Sequence, residues 1–329
     1  MTTSRTTPDP VPNAAPAPAG HPQAPGDIRA ELRTLVTEQP NPAHPDLAAL
    51  STAELAAAMN AEDALVPAAV QRHVPAIAAV IDEISHRMSD GGRLIYVGAG
   101  TPGRLGVLDA SECPPTFGTD PAQVVGVIAG GGAAVRQAVE NAEDSAEAAQ
   151  QAMAALQLAK NDSVVGIAAS GRTPYVVAAV AAARRRGAYT VGFSCNENSP
   201  LGAAADAALE IEVGPEVLTG STRLKAGTCQ KLVLNMLSTI TMVRLGKTYK
   251  NYMVDLRATN EKLRARSAQT LMQATGCDSA TAAAALEAAG GHVKAAILAV
   301  LTGLPAAESA ALLERSGGFL PAALAAGTP

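Results

Sequence analysis

The feature that most limits what this chain can fold into is a repeated change of hydrophobic period. Short β-type runs of four to six residues recur at 94–97 (Leu-Ile-Tyr-Val), 124–129, 164–169, 190–194 and 209–213. Each is apolar on both faces, several end in a Gly- or Ser-rich turn, and helical stretches lie between them. A strand with no polar face needs cover on both sides. The alternation therefore predicts an α/β fold, a parallel sheet flanked by helices. In such sheets ligands bind beyond the carboxyl ends of the strands, where these turns fall.

The flanking segments follow the helical period. Val70, Val74, Ile77, Ile81, Ile84 and Met88 make one apolar stripe on a helix. A longer helix is predicted over 225–245. It carries Leu232, Leu234, Met236, Leu237, Ile240 and Val243, is apolar nearly all round, and so should be buried or lie at an interface. From about Ala268 the pattern becomes short and helical, with Gly290-Gly291 between two segments. The Pro- and Ala-rich residues 1–27 cannot bury enough apolar surface to order themselves, and order is expected from near Glu31. The predicted organisation is a disordered tail (1–27), a catalytic α/β domain (28–267) and a small helical C-terminal domain (268–329).

Composition narrows the function. The formal charge is −5, with no long basic run, which argues against nucleic acid as a partner. Aromatics make up only 2%, so the core must be built from Ala, Val, Leu and Ile. Cys113, Cys195, Cys229 and Cys277 form no CxxC pair, and the scattered histidines show no HExxH spacing. Reduced cysteines and no metal site are expected. No N-terminal apolar region and no apolar run of membrane-spanning length stands out, which predicts a cytoplasmic protein with no membrane partner.

Three turns are candidates for holding an anion. The first, Gly98-Ala99-Gly100-Thr101-Pro102-Gly103-Arg104, follows a strand and precedes a helix expected to start near Arg104. Its small residues let amides approach a phosphate at a helix N-terminus, although it lacks the ending of a P-loop. The second, Ala169-Ser170-Gly171-Arg172-Thr173, offers the hydroxyls of Ser170 and Thr173. The third, Gly220-Ser221-Thr222-Arg223-Leu224-Lys225, leads into the long apolar helix. Each alone reads equally as a tight turn or an ordinary helix cap. Three together at strand ends point to a phosphate site that needs no metal and no cofactor.

Longer stretches carry a family resemblance. The runs GAGTPGRLGVLDASECPPTFG, GIAASGRTPYV, GPEVLTGSTRLKAGTCQKLVLNMLST and MVDLRATNEKL resemble the N-acetylmuramic acid 6-phosphate etherases, in order over roughly residues 36 to 325. These belong to the sugar isomerase (SIS) domain superfamily. The resemblance implies a five-stranded parallel sheet flanked by helices and a small C-terminal region like a ubiquitin-associated (UBA) three-helix bundle. It also implies a homodimer with sites near the subunit interface. The implied reaction splits N-acetylmuramic acid 6-phosphate into N-acetylglucosamine 6-phosphate and D-lactate, in peptidoglycan recycling. The chain departs from the family at Pro102, where a Ser is usual, and at Asn141, where a Gly is usual. Pro102 removes a hydroxyl and a backbone N–H from the first turn.

A lactyl ether at a sugar C3 leaves more easily by elimination than by displacement. In the open-chain form the C1 aldehyde acidifies the C2 proton, so the chemistry needs two proton-transfer groups. By the resemblance, Glu112 in Ser-Glu-Cys-Pro-Pro donates a proton to the lactate oxygen. Glu143 takes the C2 proton and activates water. Glu216 matches a glutamate shared across SIS domains and is expected to assist ring opening or hold a sugar hydroxyl. Arg172 and Lys225 are candidate charge partners for the phosphate or the lactyl carboxylate. Without the resemblance, Glu112, Glu143 and both cations read as solvated charges. Two alternatives share the domain: an aldose–ketose phosphosugar isomerase and a non-catalytic phosphosugar-binding regulator.

Overall fold

Five strands, β1 (Leu94–Gly98), β2 (Val124–Ile128), β3 (Ser163–Ile167), β4 (Tyr189–Ser194) and β5 (Ala207–Glu210), pair in parallel in the order β2-β1-β3-β4-β5. The computed structural model describes residues 32–255 and 261–327. The expected tail and the expected start of order at Glu31 lie outside them. The central strands β1 and β3 are buried throughout, as runs without a polar face require. Two expectations need adjusting at the edges. The middle of β2 is only half-buried, because β2 pairs on one side alone. β5 stops at Glu210, opposite Ser194 at the end of its sole partner β4; Ile211 still donates its N–H to the Ser194 carbonyl (2.9 Å), and residues 212–213 lie beyond the strand.

Helices cover both faces. On one face lie α1 (Thr52–Asp63), α2 (Val66–Ser89), α3 (Gly100–Phe117) and the long α7 (Lys225–Arg244); the buried core there joins α2, α3 and α7 to the sheet. On the other lie α4 (Ala146–Ala155), α5 (Pro174–Arg185) and α6 (Pro200–Ala204), packed largely through alanine. The α2 stripe is buried at Val70, Ile77, Ile81, Ile84 and Met88, while Val74 is exposed. Contrary to the sequence expectation, Thr52–Ser89 is long and apolar enough to cross a membrane by length and composition. It holds two helices, α1 and α2, and α2 buries its stripe in the core of the sheet. The helix α7 follows its predicted span, yet Ile240 and Val243 remain 39% and 45% exposed, so it is buried on one side only.

The end of the sheet away from the turns is locked by a charge pair. Asp162, 1% exposed, accepts hydrogen bonds from the Arg93 backbone N–H (2.9 Å), the Arg93 guanidinium (Nη2, 2.6 Å) and the Ala159 N–H (2.9 Å). Burial alone would raise the Asp162 carboxyl, but the bonds from Arg93 and Ala159 outweigh it and hold the group below the usual range. A depressed carboxyl stabilises the fold above the unfolded-state pKa, and that contribution is lost as pH falls through the folded value. Asp162→Asn should cost about 3 kcal/mol, measured by urea unfolding at neutral pH, because Arg93 loses its counter-charge.

The remaining chain forms a second core. β6 (Thr248–Tyr249) and β7 (Tyr252–Met253) make a short antiparallel hairpin. Beyond it, α8 (Glu261–Thr275), α9 (Ser279–Ala288), α10 (Val293–Thr302), α11 (Ala306–Arg315) and α12 (Leu320–Gly327) surround Leu271, Ala282, Ile297, Leu298 and Leu320. The expected division after residue 267 falls inside α8.

Candidate active site

The strand order reverses direction around β1: the chain moves from β1 to β2 on one side, then crosses to β3 on the other. In parallel sheets of this kind a ligand crevice lies at such a switch point, here beyond the carboxyl ends of β1 and β3, where Gly98 and Ile167 are register partners. The first two turns leave from these ends.

In the first turn the helix begins earlier than expected. α3 starts at Gly100 rather than near Arg104, with Ala99 as its N-cap. The glycines allow this. A Cβ on Gly98 would stand 2.6 Å from the Gly103 nitrogen, and one on Gly103 would stand 2.8 Å from the Gly98 oxygen. The first turn of α3 is thereby pressed against the end of β1. The N–H groups of Gly100 and Thr101 lie in the helix's first turn, where no intrahelical acceptor exists, and such groups can donate to an anion. Pro102 sits in the same turn and is buried. A proline is tolerated there, but it supplies no N–H.

The second turn leaves β3 through Ala168 and Ala169. Gly171 has φ +68°, and a Cβ there would meet the Ser199 Cβ at 2.4 Å. Thr173 is the N-cap residue of α5, but its side chain makes no capping bond. The Ser170 hydroxyl oxygen accepts the Arg172 N–H at 3.2 Å, leaving its own proton to donate. Arg172 is half-buried beside it.

The third turn lies beside the first. A Cβ on Gly227, in the first turn of α7, would lie 3.7 Å from both the Thr101 methyl carbon and the Thr222 carbonyl oxygen. Thr101 thus faces the Ser221-Thr222 turn. The N-terminus of α7 already carries a carboxylate. Glu216, 1% exposed, accepts the N–H of Lys225 (3.1 Å) and of Ala226 (3.0 Å). Burial pushes the Glu216 carboxyl up, opposed by those two N–H bonds and by the Lys225 charge. The Lys225 ammonium, 2% exposed, pairs with Glu62 of α1.

The two remaining glutamates stand differently. Glu143 lies in a short 3-10 helix (Ala142–Asp144) on the connection between β2 and α4. Asn141 before it has φ +58°, the left-handed conformation in which Asn substitutes for Gly at least cost. Glu112 is exposed on α3, twelve positions beyond Gly100, or about 18 Å along the helix axis. Pro114 and Pro115 fall inside the last turn of α3, which closes at left-handed Gly118.

Sequence reasoning singled out none of Thr37, Asn41, Glu62 or Asn196, which knit the rim together. The Asn196 side-chain amide donates to the Ala169 carbonyl and to the Thr37 hydroxyl, both at 3.0 Å. No local pattern marks such residues, because their partners lie far away in the chain. A cleft of about 750 Å³ lies elsewhere, between Lys247, Asp255, His292, Lys294 and Glu314, and holds none of the predicted site residues.

Turns of small and hydroxyl residues gathered at the switch point of a five-stranded parallel sheet define a protein of the SIS class. Residues 76–184 match the glucokinase regulatory protein N-terminal SIS domain, and residues 134–242 match the SIS domain. The chain belongs to the N-acetylmuramic acid 6-phosphate etherase family. It is 61% identical to the etherase of Streptomyces avermitilis over 83% of this chain and 88% of that protein. It is 57% identical to that of Cutibacterium acnes, over 80% and 87% of the two chains. The Vibrio atlanticus etherase is 53% identical, over 82% and 88%.

Proposed function

We propose that this chain is a carbon–oxygen lyase that cleaves the D-lactyl ether of N-acetylmuramic acid 6-phosphate. It releases N-acetylglucosamine 6-phosphate and D-lactate, in peptidoglycan recycling in the cytoplasm. The observation that carries the reading is the identity of 61% to a named etherase across 88% of its length. The strand-end turns and both glutamates are present in this chain.

The phosphate binds at the first two turns, on the N–H groups of Gly100 and Thr101, the close backbone of Gly103 and Gly171, and the Ser170 and Thr173 hydroxyls, with Arg172 alongside. The end of the crevice nearest α7 carries the Glu216 carboxylate, which would repel a phosphate. It therefore takes the sugar end, where Glu216 meets hydroxyls or helps open the ring and Ser221 and Thr222 add hydroxyl contacts. Lys225, held by Glu62, supports that end through its charge. Glu143 takes the C2 proton of the open-chain sugar; its electron pair forms the C2–C3 double bond as the C3–O bond breaks. Glu112 gives its proton to the departing lactate oxygen. Glu143 then gives that proton to solvent while Glu112 takes one back; water activated by Glu143 adds at C3, and Glu143 passes the water's proton to C2.

The distance of Glu112 from its own turns points to a homodimer in which each crevice takes Glu112 from the second copy. The exposed apolar residues Leu108 on α3 and Ile240 and Val243 on α7 supply a face for that contact. We read the helices from α8 onward as a separate small module.

Incubation with N-acetylmuramic acid 6-phosphate in deuterated water tests the reaction. D-lactate together with deuterium at C2 of the product supports it. No lactate, or lactate without C2 exchange, rules it out. Pro102→Ser restores an N–H and a hydroxyl in the first turn of α3, and should lower KM by about tenfold, since hydrogen bonds to charged groups are the stronger kind. Steady-state lactate release reads the change.

A further inference from the structure

Asn41 and Glu62 are remote in sequence from every turn of the site, yet they grip both ends of its Glu216–Lys225 unit. The Asn41 side-chain amide donates to the Pro215 carbonyl (3.3 Å), next to Glu216, and to Glu62 Oε1 (2.9 Å). The other oxygen of Glu62 accepts from the Lys225 ammonium, and His44 Nε2 lies 3.2 Å from Oε1. Asn41 is 8% exposed, and the Glu62 side chain 12%. Glu62 thus has partners on both oxygens, and Asn41 joins the strap before α1 to the backbone of the third turn.

The arrangement has an electrostatic consequence. Lys225 already acts on Glu216 through its charge. A buried ammonium does not stay unpaired. With Glu62 gone, Lys225 would turn to Glu216, whose two oxygens hold the N–H groups of Lys225 and Ala226. Burial alone would raise the Glu62 carboxyl, but its bonds to Lys225 and Asn41 hold it below the ordinary range, so it remains the anion that Lys225 needs.

Resting on the etherase reading, we propose that Asn41 and Glu62 are positioning residues for the reaction. They fix Pro215 and Lys225, hold the ammonium off the Glu216 carboxylate, and make the strap of residues 36–44 part of the active site.

The test compares the full-length wild type with Glu62→Gln, Asn41→Ala, Lys225→Met and the Glu62→Gln/Lys225→Met pair. Each is measured for lactate release and thermal unfolding. Glu62→Gln should lose about 100-fold in kcat, the size expected when a reacting group is misplaced by an ångström, with KM changed by less than about threefold. Asn41→Ala should fall in the same direction. The double variant should be no slower than Lys225→Met alone, because Glu62 acts through Lys225. A merely structural role would lower the unfolding midpoint without producing that coupling.

A second readout needs no turnover. Carboxyl ¹³C titration of Glu216 should move down in Glu62→Gln, as Lys225 swings onto it. The other titratable groups whose charge is coupled to this centre are Asp63 on α1, Cys195 after β4, and Cys229 on α7. Wild-type kcat in Glu62→Gln, additive losses in the double variant, or an unmoved Glu216 titration overturns the clamp. If the wild type releases no lactate, the etherase reading falls, while the Glu216 titration still decides the clamp.

Discussion

Glu112→Gln is expected to lose about a thousandfold in lactate release, the scale of a removed general acid, while its affinity for N-acetylglucosamine 6-phosphate stays within a few-fold of wild type. The product carries no lactyl group, so binding it does not call on Glu112. The variant should also keep exchanging the product's C2 proton with deuterated water, because that exchange requires only the base. Proton NMR of the product resonance reads it directly. Retained lactate release would exclude Glu112 as the acid; loss of C2 exchange would place it at the other step.

Glu143→Gln should show the complementary pattern: lactate release and C2 exchange both fall by about a thousandfold, because both begin with removal of the C2 proton. Mixing the two variants tests the geometry. On the proposed reading Glu143 serves the crevice of its own chain, whereas Glu112 stands about 18 Å along α3 from Gly100. If the second copy supplies Glu112, a mixed dimer has one crevice with both glutamates intact. Random reassembly should then recover about one quarter of wild-type activity, since half the dimers are mixed and each has one working site. If both glutamates came from one chain, every crevice in the mixture would lack one of them, and no activity would return.

How much of this was legible in the sequence depended on how local the cause was. The strands could be read because burial on both faces leaves an unbroken apolar run, as at Leu94–Val97 and Val164–Ile167. Edges were harder. Val125 and Val127 read as core residues, but β2 has a neighbour on one side only, and a pairing partner is not written in a strand's own residues. The start of α3 was placed four residues late, because glycines and a proline before Arg104 read as turn. In the structure, the close approach of Gly98 and Gly103 lets the helix begin at once.

The sequence by itself determined the class of chemistry. The turns after β1 and β3, the third turn and the two glutamates lie in contiguous stretches of the chain, legible as motifs without any tertiary contact. Asn141 illustrates the same local logic, since Gly and then Asn adopt the left-handed conformation at least cost. Only the tertiary structure decided which of these groups meet. It set the Glu216 carboxylate on the N-terminus of α7, turned Lys225 toward Glu62, and brought Asn41 to Pro215 across 174 positions of chain. It also put Glu112 about 18 Å along α3 from Gly100. The physical reason is that hydrogen bonds and buried charges are satisfied by whatever lies close in space, and closeness across the sheet follows from strand order and helix packing rather than from spacing along the chain.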